Sequence, residues 1–162
     1  MGDNCWHRLC PYCGKVRALA LTHAHEALTG KPNLKHLVLT VKSVSGLNGK
    51  VKWLRDCFTR LRRRVVFRQA WRGGVYTIEF TFDGVKGWHV HIHALVDGDY
   101  IPQSYISKVW SEVTGGEGEV VWIKRASHSR EVLKYILKPS KELLANAEAL
   151  DDFLSETEGK HL

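Results

Sequence analysis

Two alternating runs, VYTIEFTF at 75–82 and WHVHIHALV at 88–96, flank Asp83-Gly84 and Gly87. Alternation is the period of a β-strand, and a short glycine-bearing link between two such runs is a hairpin signal. With the turn centred near Val85, Phe82 falls opposite Trp88 and Glu79 opposite His91. Parity then gathers Phe80, Phe82, Trp88, Val90 and Ile92 on one face, and Glu79, His89, His91 and His93 on the other. A slip of one residue would ruin both faces at once, so the apolar alternation and the histidine row constrain the same register.

The remaining elements build around this hairpin. KVRALALTHAHEAL reads as a short helix ending at Thr29-Gly30, and HLVLTVKSV as a strand. One long helix is predicted over residues 49–71, with Leu54, Cys57, Phe58, Leu61 and Val65 as its apolar stripe. IPQSYISKVWSEVTGG predicts a helix that buries Ile106, Val109, Trp110 and Val113 and stops at Gly115-Gly116, and EVVWIKRA predicts a further strand. Helices over 129–138 and 140–154, separated by Pro139, and a loose tail SETEGKHL complete the chain. The order β-α-β-β-α-β-α is that of an α+β, ferredoxin-like (RRM-like) split βαβ fold, with a central antiparallel sheet and helices on one face. A small N-terminal zinc-binding segment precedes it, and the expected divisions are 1–30, 31–141 and 142–162.

At 162 residues the chain is long enough to bury a core. Lys and Arg outnumber Asp and Glu by 24 to 17, which favours a polyanionic partner, nucleic acid first. The excess is concentrated on the predicted 49–71 helix, where Arg60, Arg62, Arg63, Arg64 and Arg68 are offset only by Asp56. Such one-sidedness suits phosphate contacts better than ion pairing. No run is apolar enough to span a bilayer and no signal peptide is visible, so an intracellular protein with no membrane partner is expected.

Three of the four cysteines, Cys5, Cys10 and Cys13, lie in MGDNCWHRLCPYCGK. Cys10-Pro-Tyr-Cys13 is a knuckle of the kind that holds structural Zn²⁺. A closed site needs a fourth ligand, which His7, His23, His25 or a group outside the chain would supply. Cys57, alone in an apolar helical pattern, reads as core.

Two imidazoles and a carboxylate on neighbouring strands make a half-open site for a divalent cation beside phosphate, Mn²⁺ or Mg²⁺. Geometry alone leaves open which two histidines take part; His91 is nearest Glu79, with His89 and His93 the alternatives. In SREVLKYILKPSK, helical spacing puts Glu131, Tyr135 and Lys138 on one side and Val132, Leu133, Ile136 and Leu137 on the other. A phenol with a carboxylate one turn before it and an ammonium one turn after is a candidate nucleophile.

These residues resemble the HUH endonucleases, metal-dependent nickases of single-stranded DNA, and within them the single-tyrosine rolling-circle replication initiators of plasmids and phages. His91-Ile92-His93 matches the His-hydrophobic-His motif, Glu79 the acidic third ligand on the preceding strand, and Glu131-x-x-Lys134-Tyr135-x-x-Lys138 the nucleophile helix. Val90 departs from a proline common between the first two histidines, and no fourth cysteine is visible. The resemblance implies an HUH endonuclease domain over 31–141, a cation on His91, His93 and Glu79, and a 5′-phosphotyrosine on Tyr135. It leaves His89 in a supporting or DNA-contacting role, or as a further ligand. It also implies that Glu131 helps to end replication, that Lys134 and the basic helix contact single-stranded DNA at an origin, and that host helicase and polymerase act alongside. The competing expectations are a transposase or relaxase of a mobile element, and a non-catalytic nucleic-acid-binding module. The last would carry exposed aromatics on the histidine face.

Overall fold

The computed structural model describes residues 9–128 and 141–158. Its strands are β1 (Leu34–Val41), β2 (Trp71–Asp83), β3 (Gly87–Gly98) and β4 (Gly118–Arg125). Its α-helices are α1 (Pro11–Ala24), α2 (Lys50–Arg63), α3 (Val65–Ala70), α4 (Gln103–Val113), α5 (Lys141–Ala145) and α6 (Ala147–Thr157). A 3₁₀ turn, Glu26–Leu28, follows α1. The sheet order is β2-β3-β1-β4, with every neighbouring pair antiparallel. β1 and β2 therefore run the same way with β3 between them, which is the split βαβ arrangement expected of an α+β chain. The expected 129–138 helix lies outside the described residues.

The hairpin register follows the side-chain parity: Glu79 stands opposite His91, Phe82 opposite Trp88 and Asp83 opposite Gly87. Asp83 fixes the turn by accepting the N–H groups of Val85 (2.8 Å) and Lys86 (3.2 Å). Gly87 has φ +78°, and a Cβ there would run into the carbonyl of Val44, so glycine is required both for the conformation and for the close approach.

One face of the sheet makes the core. Leu37, Leu39, Ile78, Trp88, Val90 and Ile92 pack against Leu54, Cys57, Phe58 and Leu61 of α2 and Ile106, Val109, Trp110 and Val113 of α4. Four of the five stripe residues expected on the second helix are buried, but Val65 is exposed. The cause is a break: Arg64 is extended (φ −61°, ψ 141°), dividing the expected single helix into α2 and α3. Three successive arginines followed by two β-branched valines weaken helix continuation there. The turn also delivers Phe67 into the core, edge-on to Trp71 at 4.8 Å.

The C-terminal segment differs from expectation twice. The predicted 140–154 helix is two, because the Asn146 side chain accepts the Ala149 N–H (2.9 Å) and starts a new helix. Residues 155–157 of the expected loose tail are helical and built into the protein. Phe153 stacks on Trp88 at 6.2 Å, and Glu156 accepts the N–H groups of Gly49 (3.0 Å) and Val51 (2.8 Å). Gly49, the N-cap of α2, has no side chain to satisfy those donors, and a carboxylate at a helix N-terminus also matches the helix dipole. No helix among the described residues is long and apolar enough to cross a membrane.

Candidate functional site on the histidine face

The opposite face of the sheet carries the polar residues in cross-strand rows. Thr77 (β2), His93 (β3), Val38 (β1) and Trp122 (β4) stand opposite one another in turn and cross the whole sheet. In the neighbouring row are Glu79, His91 and Thr40. Contacts run diagonally between rows. His93 Nε2 lies 2.8 Å from Glu79 Oε2, and His93 Nδ1 lies 3.2 Å from His36 Nε2. His36 in turn meets the edge of Trp122 at 5.5 Å. The result is a connected path, Glu79–His93–His36–Trp122, from one edge of the sheet to the other.

His93 and His36 are buried, and Thr77, directly across from His93, buries its hydroxyl with no hydrogen-bond partner among the described residues. His91 is half-buried, and its ring centroid is 4.2 Å from His89 but 6.1 Å from His93. Burial, then the charge of His89, pushes the His91 imidazole down to about 4, against the opposing pull of Glu79. His91 is therefore neutral near pH 7, with a lone pair available to a metal or a proton donor.

Two donors match the spacing a small divalent cation needs. Ligands at right angles around an ion with bonds of about 2.1 Å stand about 3 Å apart, close to the separation of Glu79 Oε2 and His93 Nε2. His36 supplies the partner that a metal-ligating imidazole needs on its other nitrogen. His91 shares their face, but its ring is drawn towards His89. No group of three or more His, Cys, Asp or Glu among the described residues stands in metal-ligating geometry.

At the N-terminus, Cys10 caps α1, its Sγ accepting the Cys13 N–H at 3.5 Å, and Cys13 is buried. Cys5 and His7 lie outside the described residues. The unbroken α1 changes the expectation for the fourth zinc ligand: His23 is ten residues beyond Cys13, about 15 Å along the axis at 1.5 Å per residue. His25 is farther still. Neither histidine can share an ion with Cys13, which leaves His7 of the three named in this chain.

The arginines expected to meet DNA divide into two sets. Arg60 donates to the carbonyl of Val113 (2.7 Å) and Arg64, just past α2, pairs with Glu112 (3.6 Å), so both tie this segment to α4. Arg62, Arg63 and Arg68 are exposed, with Arg62 lying 5.1 Å over the ring of Phe58. All are on the helix side of the sheet, away from the histidines. Lys134, Glu131, Tyr135 and Lys138 lie outside the described residues.

Sequence reasoning missed His36 and Trp122. The strand alternation of HLVLTV and EVVWIK carried the signal, but only the pairing of β1 with both β3 and β4 puts these two residues on the histidine face. Trp122 is 40% exposed there and Val120 57%. The histidine face thus also carries the exposed aromatic that was expected only of a nucleic-acid-binding sheet.

A family model described as Replication protein matches residues 1–114, which include β1 to α4 and with them Glu79, His36 and the three histidines of β3. No curated protein and no solved structure matches significantly. The match spans well over half of the 162 residues, and the chain belongs to this family of replication proteins.

Proposed function

We infer that this replication protein initiates rolling-circle replication of a plasmid or phage by nicking single-stranded DNA at its origin. The observation that carries the reading is the Glu79–His93–His36 chain, a carboxylate and an imidazole held 2.8 Å apart on the sheet face of a replication-family chain. Tyr135 is the nucleophile. Its phenolate oxygen attacks the scissile phosphorus, a P–O bond to tyrosine forms, and the bond to the 3′ oxygen of the preceding nucleotide breaks. The products are a 5′-phosphotyrosyl protein and a free 3′-OH, which takes up a proton and primes a polymerase.

Glu79 and His93 would hold Mn²⁺ or Mg²⁺, with His91 the next donor on the same strand. A bound cation of this kind offsets the charge that develops on the phosphate oxygens. His36 orients the His93 ring, and Trp122 offers a stacking surface for a base beside the reacting phosphate. Lys138 steadies the phenolate or the phosphate, and Lys134 contacts the strand. Glu131 takes the proton from water or from a 3′-OH when the phosphotyrosine is resolved. Zn²⁺ on Cys5, Cys10 and Cys13 would be structural, and strand separation and synthesis belong to a host helicase and polymerase.

The test is incubation of the protein with 3′-labelled single-stranded origin DNA and Mn²⁺, followed by a denaturing gel. A covalent adduct that is lost in Tyr135→Phe and in His93→Ala is expected. An adduct that persists in Tyr135→Phe would refute the assignment.

A further inference from the structure

On the other face of the β2–β3 hairpin, a cleft of about 300 Å³ opens between α2, α3 and the first residues of β2. Half-buried Trp71 and Tyr76 line it above the buried rings of Phe58 and Phe67, and its rim carries Arg62, Arg68 and Arg72. Gly73 and Gly74 line it with bare backbone. At Gly74 a Cβ would collide with the carbonyl of Leu95, so the close approach of β2 to β3 beside the cleft requires glycine. Arg72, at the register shift that begins β2, is held by Asp97 (3.1 Å) and Asp99 (3.5 Å). Arg68 makes no ion pair among the described residues.

Each feature specifies part of a ligand. An aromatic wall in a cleft of this size takes a flat ring. Two exposed guanidinium groups at the rim call for an anion next to it, and phosphate suits their fork geometry. A nucleobase joined to a phosphate supplies both.

We propose that this cleft binds one unpaired nucleotide of the DNA strand, its base against Tyr76 and Trp71 and its phosphate on Arg62 and Arg68. β2 is an edge strand, and Tyr76 opposite Ala94 lines the cleft one position from Thr77 opposite His93 on the other face. A strand lying at Glu79 and His93 reaches the cleft by passing around that edge. The proposal rests on DNA as the partner but not on cleavage, because binding here involves no metal and no nucleophile.

The experiment is fluorescence anisotropy of the whole protein with a labelled short oligothymidylate in EDTA, compared with the same length of abasic strand and with free dTMP. The variants are Trp71→Phe, the double change Arg62→Ala with Arg68→Ala, and His93→Ala. We expect Trp71→Phe, which shrinks the stacking face, to weaken oligothymidylate binding roughly 3-fold or more while leaving the abasic strand unchanged. The arginine pair should lower the salt slope by roughly 0.7 for each phosphate that is no longer neutralised. His93→Ala should leave the Trp71 effect intact, so failure of the nicking assignment would not remove it. Equal binding of thymidylate and abasic strands by wild type, or a Trp71→Phe variant indistinguishable from wild type, overturns the proposal. So does dTMP binding that needs Trp71 when oligothymidylate binding does not, because the site would then serve free nucleotides.

Discussion

His36 Nε2 stands 3.2 Å from His93 Nδ1, and the other nitrogen of His93 stands 2.8 Å from Glu79. A carboxylate can only accept, so the contact with Glu79 puts a proton on His93 Nε2 and leaves Nδ1 to face His36. Were His93 Nε2 to hold a cation, the order would be reversed. The proton would then sit on Nδ1, with His36 Nε2 to accept it.

His36→Ala removes that acceptor. The expected result is a loss of about 10- to 100-fold in Mn²⁺ affinity, measured by calorimetry at neutral pH. Unchanged affinity would show that His36 does not support the ligand.

His91 gives a pH signature. Its folded-state value of about 4 is below the ordinary histidine value of 6.5. Between those two values the unfolded chain binds the extra proton and the native chain does not, so this group destabilises the native state as pH falls through that window. Its contribution is fully favourable above about 6.5, declines as pH falls towards 4, and is flat below. NMR titration of the metal-free protein should find the His91 ring neutral at pH 5.5; a midpoint near 6.5 would contradict the burial that causes the shift.

Glu156 caps α2 from the far end of the chain. Glu156→Ala leaves the Gly49 and Val51 N–H groups without that acceptor and should lower stability by about 1–3 kcal/mol in urea denaturation. Glu156→Gln, which keeps an acceptor but not the charge, should lose less. Equal losses would mean that the charge adds nothing.

Trp122→Ala changes an exposed ring that the core does not need. Single-stranded DNA binding should weaken by about 1–3 kcal/mol if a base stacks there, with Mn²⁺ affinity and thermal midpoint little altered. Undiminished DNA binding would remove Trp122 from the interface.

The hairpin was legible because strand parity is a local rule. Apolar residues at every second position from Phe80 to Phe82 and from Trp88 to Ile92 allow one register only, and that register carries Glu79 to His91 without any knowledge of the rest of the chain. The buried face of α4 was legible for the same reason, since Ile106, Val109, Trp110 and Val113 follow the helical period. The break at Arg64 was not. Periodicity continues through Val65, and only the burial of Phe67 against Trp71 settles where the chain turns.

The sequence by itself determined the two-faced hairpin, the split βαβ order and the placing of an acidic residue and three imidazoles on one side. Tertiary structure alone decided that His93 contacts Glu79 while His91 leans to His89, and that His36 and Trp122 join them from β1 and β4. It also set Arg60 and Arg64 to hold α4 and left Arg62 and Arg68 at a separate cleft. The physical reason is range. Parity and helical period act over a few neighbouring residues, whereas which ring meets which carboxylate depends on pairing between strands more than fifty residues apart, as between His36 and His93.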